Sequence, residues 1–212
     1  MLKINIERKD FGNKIILQNI DLTISKNGIY GVVGKNGEGK TTFFKCINSL
    51  TPFKGNVEYN NKVICKKEIA FFPTEVPIYD ELTSKEFSRF YKELLDLKDS
   101  AMATNIFDVP QEKLIKTFST GMKKKAYMNA VFQTEYPIYI FDEPFNGLDL
   151  ESNYLLMQYL RRLAKTSIIF ISTHILDSLY KDCETIFLIQ DSKITAFEKQ
   201  EYETIENILF SK

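Results

Sequence analysis

The sequence predicts an α/β fold: a parallel sheet flanked by helices, with an antiparallel β layer at the N-terminus and a helical insertion in the middle. Short continuous apolar runs, Ile29 to Val33, Ile138 to Phe141, Ser167 to Ile171 and Ile186 to Ile189, have the length and uniformity of strands buried on both faces. Helix-like segments fall between several of them, as parallel neighbours require. The first 24 residues instead alternate apolar and polar side chains, the pattern of a sheet covered on one face.

Taken in order, Leu2 to Ile6 and Ile20 to Ile24 read as strands, with Ile15 to Leu17 between them. The run Ile29 to Val33 leads into a glycine-rich turn and a helix from Thr42 to Leu50, which Thr51-Pro52-Phe53-Lys54-Gly55 ends. Asn56 to Ile64 forms a hairpin about Asn60-Asn61, and Glu68 to Phe72 a strand. Thr83-Ser84-Lys85-Glu86 is a capping box followed by Phe87, Phe90, Tyr91, Leu94 and Leu95 at helical spacing, so Leu82 to Thr117 is expected to be mainly helical. An amphipathic helix is expected from Leu150 to Ala164, then a last strand over Lys193 to Phe197 and a helix over Gln200 to Phe210.

Composition bounds the function. The chain has 212 residues, enough for one large domain, and its 28 basic residues balance 28 acidic ones. No general attraction to nucleic acid or anionic lipid follows, and no nucleic-acid partner is expected. Cys46, Cys65 and Cys183 are odd in number and widely spaced, which predicts reduced thiols in a cytoplasmic protein rather than a disulfide framework or zinc site. The start lacks a signal-peptide core, and no stretch approaches the roughly 18 apolar residues of a membrane span.

The chemistry begins at Gly34-Lys35-Asn36-Gly37-Glu38-Gly39-Lys40-Thr41-Thr42, between an apolar strand and a helix. Glycines let successive N–H groups turn into a concave anion nest. Lys40 can reach terminal phosphates, Thr41 can offer its hydroxyl to Mg²⁺, and the helix adds its positive dipole end, so the core is that of a phosphate-loop NTPase. The strand Ile138 to Phe141 then ends in Asp142-Glu143. Acids at the carboxyl end of a parallel strand project into the ligand crevice, where Asp142 can hold Mg²⁺ and Glu143 can take a proton from an attacking water. His174, the single histidine, follows another buried strand on the same edge and can donate to a γ-phosphate. Ser119 and Gly121 open a helix in Phe118-Ser119-Thr120-Gly121-Met122, again an anion-binding arrangement, whereas Lys123, Lys124 and Lys125 read as a solvated helix face.

Together these motifs resemble, over nearly the whole chain and in the same order, the nucleotide-binding subunits of ATP-binding cassette (ABC) transporters. The resemblance implies ATP and Mg²⁺ as cofactors, with Phe11 stacking on adenine. Gly34, Asn36, Gly37, Gly39, Lys40, Thr41 and Thr42 would grip the phosphates. Thr41 and Asp142 would hold the metal, and Glu143, His174 and Lys40 would act in catalysis. Ser119 and Gly121 would touch the γ-phosphate bound by a second ABC subunit, and Asp149, in Gly147-Leu148-Asp149, would line the interface between the two. A RecA-like core over about 1–81 and 126–212 and a helical subdomain over about 82–125 are implied. So are separate transmembrane permease subunits, which would hold the protein on the inner face of the membrane. The wording around Glu81-Leu82-Thr83 and Gly121-Met122-Lys123 looks more like exporters than importers.

Two positions depart from the family pattern. Thr74 stands where a metal-sensing Gln is usual, and Thr120 where a second glycine is usual. A weakly hydrolysing regulatory subunit is therefore an alternative, as is a soluble ABC ATPase acting on ribosomes or DNA, although that class carries tandem cassettes or a long insertion.

Overall fold

The computed structural model describes residues 1–95, 105–174 and 176–210. Two sheets organise the chain. The first is antiparallel, in the order β2-β1-β4-β5, from β1 (Leu2–Phe11), β2 (Lys14–Ile24), β4 (Lys54–Tyr59) and β5 (Lys62–Val63). The second, in the order β10-β9-β3-β8-β7-β6, comprises β3 (Gly28–Val33), β6 (Ile69–Phe72), β7 (Ile138–Asp142), β8 (Ile168–Ser172), β9 (Cys183–Gln190) and β10 (Lys193–Glu198). Its strands are parallel except for β10, which pairs antiparallel with β9.

Period-2 alternation decides which core each side chain enters. Tyr30, Val32, Ile138, Ile140, Ile168 and Phe170 face one way, packing with Leu2, Ile4 and Ile6 of β1 and with Phe43, Phe44 and Ile47 of helix α1 (Lys40–Ile47). The residues between them, Ile29, Val33, Tyr139, Phe141, Ile169 and Ile171, face the other way. There they meet α3 (Thr120–Val131), α4 (Leu150–Leu163), α5 (Leu176–Asp182) and α6 (Tyr202–Phe210). Every residue of β3, β7 and β8 is buried, as their unbroken apolar runs require. Each large side chain so enclosed contributes about 1.5–3 kcal/mol over leaving it in water.

Local chemistry sets the turns. Asn60 and Asn61 both adopt left-handed backbone, φ 52° and 61°, which shapes the tight β4–β5 hairpin. In helix α2 (Ser84–Leu94), Thr83 Oγ1 accepts from the N–H of Glu86, whose carboxylate accepts from the N–H of Thr83.

Three expectations change. Ile15–Leu17 and Ile20–Ile24 are not separate strands but parts of one β2, which continues through a left-handed Asn19 (φ 52°). The stretch expected to be mainly helical holds α2, but residues 105–114 run without helix before a single 3₁₀ turn at Ile115–Thr117, and positions 96–104 lie outside the described residues. The chain there instead pairs back on the start of α2, through a bridge between Thr83 and Leu114 and a bond from the N–H of Lys85 to Gln111 O. Helix α5, which no periodic run announced, joins β8 to β9.

Candidate nucleotide site

The parallel strands deliver the polar residues to one edge. Strand β3 ends at the glycine-rich turn, β6 just before Thr74, β7 at Asp142 and β8 at Ser172, with Ser172 in register with Asp142 and Val32. A cavity of about 380 Å³ opens there, lined by Asn36, Gly37, Gly39, Lys40, Thr41, Thr42, Thr74, Asp142, Glu143, Asn146 and His174, with Ile16 of β2 as its apolar wall.

Helix α1 meets the cavity with its N-terminus bare. Gly39 occupies the capping position at φ 110°, backbone that side chains rarely adopt, and a Cβ there would lie 2.9 Å from Ile16 Cγ2. No side chain caps the helix, so the first N–H groups, which have no intrahelical acceptor, are free for an anion. Lys40 is folded back on its own loop, its Nζ donating to Gly34 O at 2.7 Å and Lys35 O at 3.3 Å. Burial lowers its pKa, against the pull of Glu143, Asp142 and Glu38.

Asp142 is 2% exposed and held on every side. Thr41 Oγ1 donates to its Oδ2 at 2.6 Å, Ser172 Oγ to its Oδ1 at 2.7 Å, and Thr74 Oγ1 to its carbonyl at 3.3 Å. A hydroxyl and a carboxylate converging on an open cavity form an all-oxygen donor set that suits a hard cation sharing its shell with phosphate and water.

Glu143 lies beside it in left-handed backbone, φ 52°, a conformation a non-glycine residue keeps only where its surroundings impose it. Burial raises its pKa above the ordinary value of 4.5, while the His174 imidazole and Lys40 pull it down and Asp142 adds to the rise. His174 Nε2 lies 2.9 Å from Glu143 Oε1, yet that oxygen has no hydrogen-bond partner among the described residues. The separation is short but does not meet the geometry of a hydrogen bond, so Oε1 is a buried acceptor in close contact with the imidazole and without a bonded partner.

The remaining candidates lie elsewhere. The cavity lining does not include Phe11, Ser119, Gly121 or Asp149. Phe11, at the end of β1, is 55% exposed, with Lys9 Nζ 4.1 Å over its ring. Ser119 caps α3, its Oγ accepting from the N–H of Met122. Asp149 caps α4 through the N–H of Ser152 and pairs with Lys125 at 2.7 Å, and these bonds hold its carboxyl well below the usual range. Gly121 faces the carbonyl of Gly147, which a Cβ would approach to 2.4 Å.

The lysine triplet is not a solvated face. Lys123 pairs with Asp80, Lys125 with Asp149, and Lys124 is buried, its Nζ donating to Asn146 O at 2.8 Å and Glu143 O at 3.3 Å. Sequence reasoning also missed Ser172, which donates to Asp142 and accepts from the N–H of Glu143 at 3.0 Å. A hydroxyl closing an otherwise apolar buried strand was the available signal.

A bare helix start after a glycine turn, with a threonine–aspartate pair beside it, defines a phosphate-binding site of the P-loop kind. The sequence profile of the family described as "ABC transporter" matches residues 17–146, and the chain belongs to that family as an ATP-binding, ATPase domain. It is 27% identical over 195 residues to the ABC transporter ATP-binding protein YtrB of Bacillus subtilis, an alignment covering 87% of this chain and 66% of YtrB. It is also 27% identical over 217 residues to the lantibiotic transport ATP-binding protein SrtF of Streptococcus pyogenes, covering 98% and 94%. In fold it is similar to the ATP-binding cassette MJ0796, solved as a dimer in a post-hydrolysis state with ADP and Pi, at a TM-score of 0.80 over 94% of this chain and 99% of that one, with 18% identity. No helix among the described residues is long and apolar enough to cross a membrane.

Proposed function

We propose that this chain hydrolyses ATP as one of two cassettes that close head to tail, driving a transporter whose membrane-spanning subunits are separate chains. The observation that carries the reading is the convergence of Lys40, Thr41, Asp142 and Glu143 on one cavity. In it, the first N–H groups of α1 bind the phosphates, and Lys40 exchanges its bonds to Gly34 and Lys35 for phosphate oxygens. Thr41 and Asp142 hold Mg²⁺, which supplies charge neutralisation at the β- and γ-phosphates. Glu143, in the cavity lining, takes the proton of the attacking water through its carboxylate, and His174, beside it, donates to the γ-phosphate.

Phe11 stacks on adenine through the exposed face of its ring. Ser119, Gly121 and Asp149 lie outside the cavity, on the two helix starts tied together by Lys125; Ser119 and Gly121 serve the nucleotide of the second subunit and Asp149 lines the interface between the two. That reading is supported by the dimer with ADP and Pi described for the similarly folded MJ0796. We assign residues 82–125 to the helical subdomain and the rest to the core. The name of SrtF, a lantibiotic transport protein, supports a transport role; we read the direction as export from the wording around Glu81-Leu82-Thr83 and Gly121-Met122-Lys123, with partner subunits holding the chain at the inner membrane face.

Turnover of Mg²⁺-ATP by wild type and by Glu143→Gln tests the reading. Loss of a general base lowers the rate by about 10²- to 10⁴-fold, with nucleotide binding retained. Equal rates in the two proteins remove Glu143 from the reaction.

A further inference from the structure

Both peptide groups flanking Glu143 are clamped. Its N–H is given to Ser172 Oγ at 3.0 Å, and its carbonyl accepts from Lys124 Nζ at 3.3 Å. The same ammonium donates to Asn146 O at 2.8 Å, bridging the turn from Glu143 to Asn146 that the bond from Asn146 N–H to Glu143 O closes. Glu143 needs this support because its φ of 52° is not one a glutamate keeps unaided.

Lys124 is only 4% exposed, and a buried ammonium is costly unless its three donors are used and opposite charge is near. Asp142 and Glu143 provide that charge, opposing the effect of burial on its pKa. Lys124 projects from α3, the helix whose N-cap is Ser119.

We infer that Lys124 is a positioning residue: from helix α3 it holds the Glu143 and Asn146 carbonyls and so fixes the backbone that aims the Glu143 carboxylate. The inference rests on the catalytic reading of Glu143 given above.

The full chain as wild type, Lys124→Met, Lys124→Arg, Glu143→Gln and the Lys124→Met/Glu143→Gln double variant is compared for kcat, KM, affinity for a fluorescent ATP analogue and thermal midpoint. A misplaced catalytic group costs on the order of 10²-fold, so kcat of Lys124→Met falls by that order. KM and analogue affinity stay within about threefold of wild type, the split that marks an interaction made in the transition state. Lys124→Arg, whose fork can meet both carbonyls, retains most of the rate, and the double variant is no slower than Glu143→Gln alone. An unchanged kcat in Lys124→Met, a parallel loss of affinity, or a further loss in the double variant overturns the inference. If Lys124→Met does not fold, Lys124→Gln, which keeps one donor pair, takes its place with the same criteria. Slow Glu143→Gln with normal Lys124→Met sinks this inference alone, whereas wild-type turnover in Glu143→Gln sinks the catalytic reading with it.

Discussion

Thr41 Oγ1 donates to Asp142 Oδ2 at 2.6 Å, joining two residues 101 positions apart in the sequence. One lies in the first turn of helix α1 and the other closes β7, so the bond ties the segment after the glycine-rich loop to the acidic strand. With its other oxygen accepting from Ser172, the Asp142 carboxylate is fully engaged and fixed in direction. On the proposed reading, a cation would find both oxygen ligands side by side, with the Asp142 carboxylate held in direction by Ser172.

Thr41→Ala and Asp142→Asn each remove one of these ligands. Both are expected to raise the Mg²⁺ concentration needed for half-maximal nucleotide binding by at least about 10-fold, while metal-free nucleotide binding changes little in Thr41→Ala. Calorimetric titration of nucleotide at graded Mg²⁺ checks this, and a Thr41→Ala protein with wild-type metal dependence removes Thr41 from the metal shell.

The raised pKa of Glu143 sets a pH dependence whose sign can be worked out. The base acts deprotonated, so turnover falls as pH drops through a value above the ordinary 4.5, and Glu143→Gln lacks that acid limb. In stability the same shift acts the other way. The folded protein binds this proton more tightly than the unfolded chain, so its contribution to stability declines as pH rises from 4.5 through the raised value. Glu143→Gln is therefore expected to melt higher than wild type at neutral pH, with the difference shrinking as pH falls toward 4.5. Thermal scans across that range measure it, and a constant difference contradicts the assignment.

What the sequence could tell followed from locality. Gly34 to Thr42 and the run into Asp142-Glu143 are contiguous motifs whose spacing alone implies their chemistry, and both reach the same cavity. The central strands were legible because burial on both faces leaves an unbroken apolar run. The fate of Lys124 was not legible. A lysine in a basic triplet reads as solvated, and only the turn folded beneath α3 supplies the carbonyls that make its burial tolerable. The helical reading runs past its support, since the helical spacing ends at Leu95, and Phe107 and Val109 beyond it are buried in the core without belonging to a helix.

Gly121 offers a test of packing independent of chemistry. Its hydrogen faces the Gly147 carbonyl, and a methyl group placed 2.4 Å from that backbone oxygen forces α3 away from the turn. Gly121→Ala is expected to cost about 1–3 kcal/mol, seen as a lower thermal midpoint. An unchanged midpoint means that α3 and the Gly147 turn are not in close contact in solution.

Phe72 links stability to the site. It is 1% exposed, stacks on Phe141 with centroids 4.3 Å apart and planes at 9°, and meets Phe132 at 5.1 Å and the edge of Tyr127 at 5.9 Å. Truncation to alanine leaves a cavity that aromatic rings cannot readily fill, so Phe72→Ala is expected to cost about 3–5 kcal/mol. Phe72→Leu, which keeps most of the volume, is expected to cost less. Phe72 precedes Thr74 by two positions, and its stacking partner precedes Asp142 by one, so loss of the ring loosens two of the groups around the metal position. Phe72→Leu should therefore weaken Mg²⁺-dependent nucleotide binding at temperatures where it remains folded. Denaturant unfolding together with calorimetry on the same samples separates the two effects, and full stability with normal metal dependence in Phe72→Ala rules out the coupling.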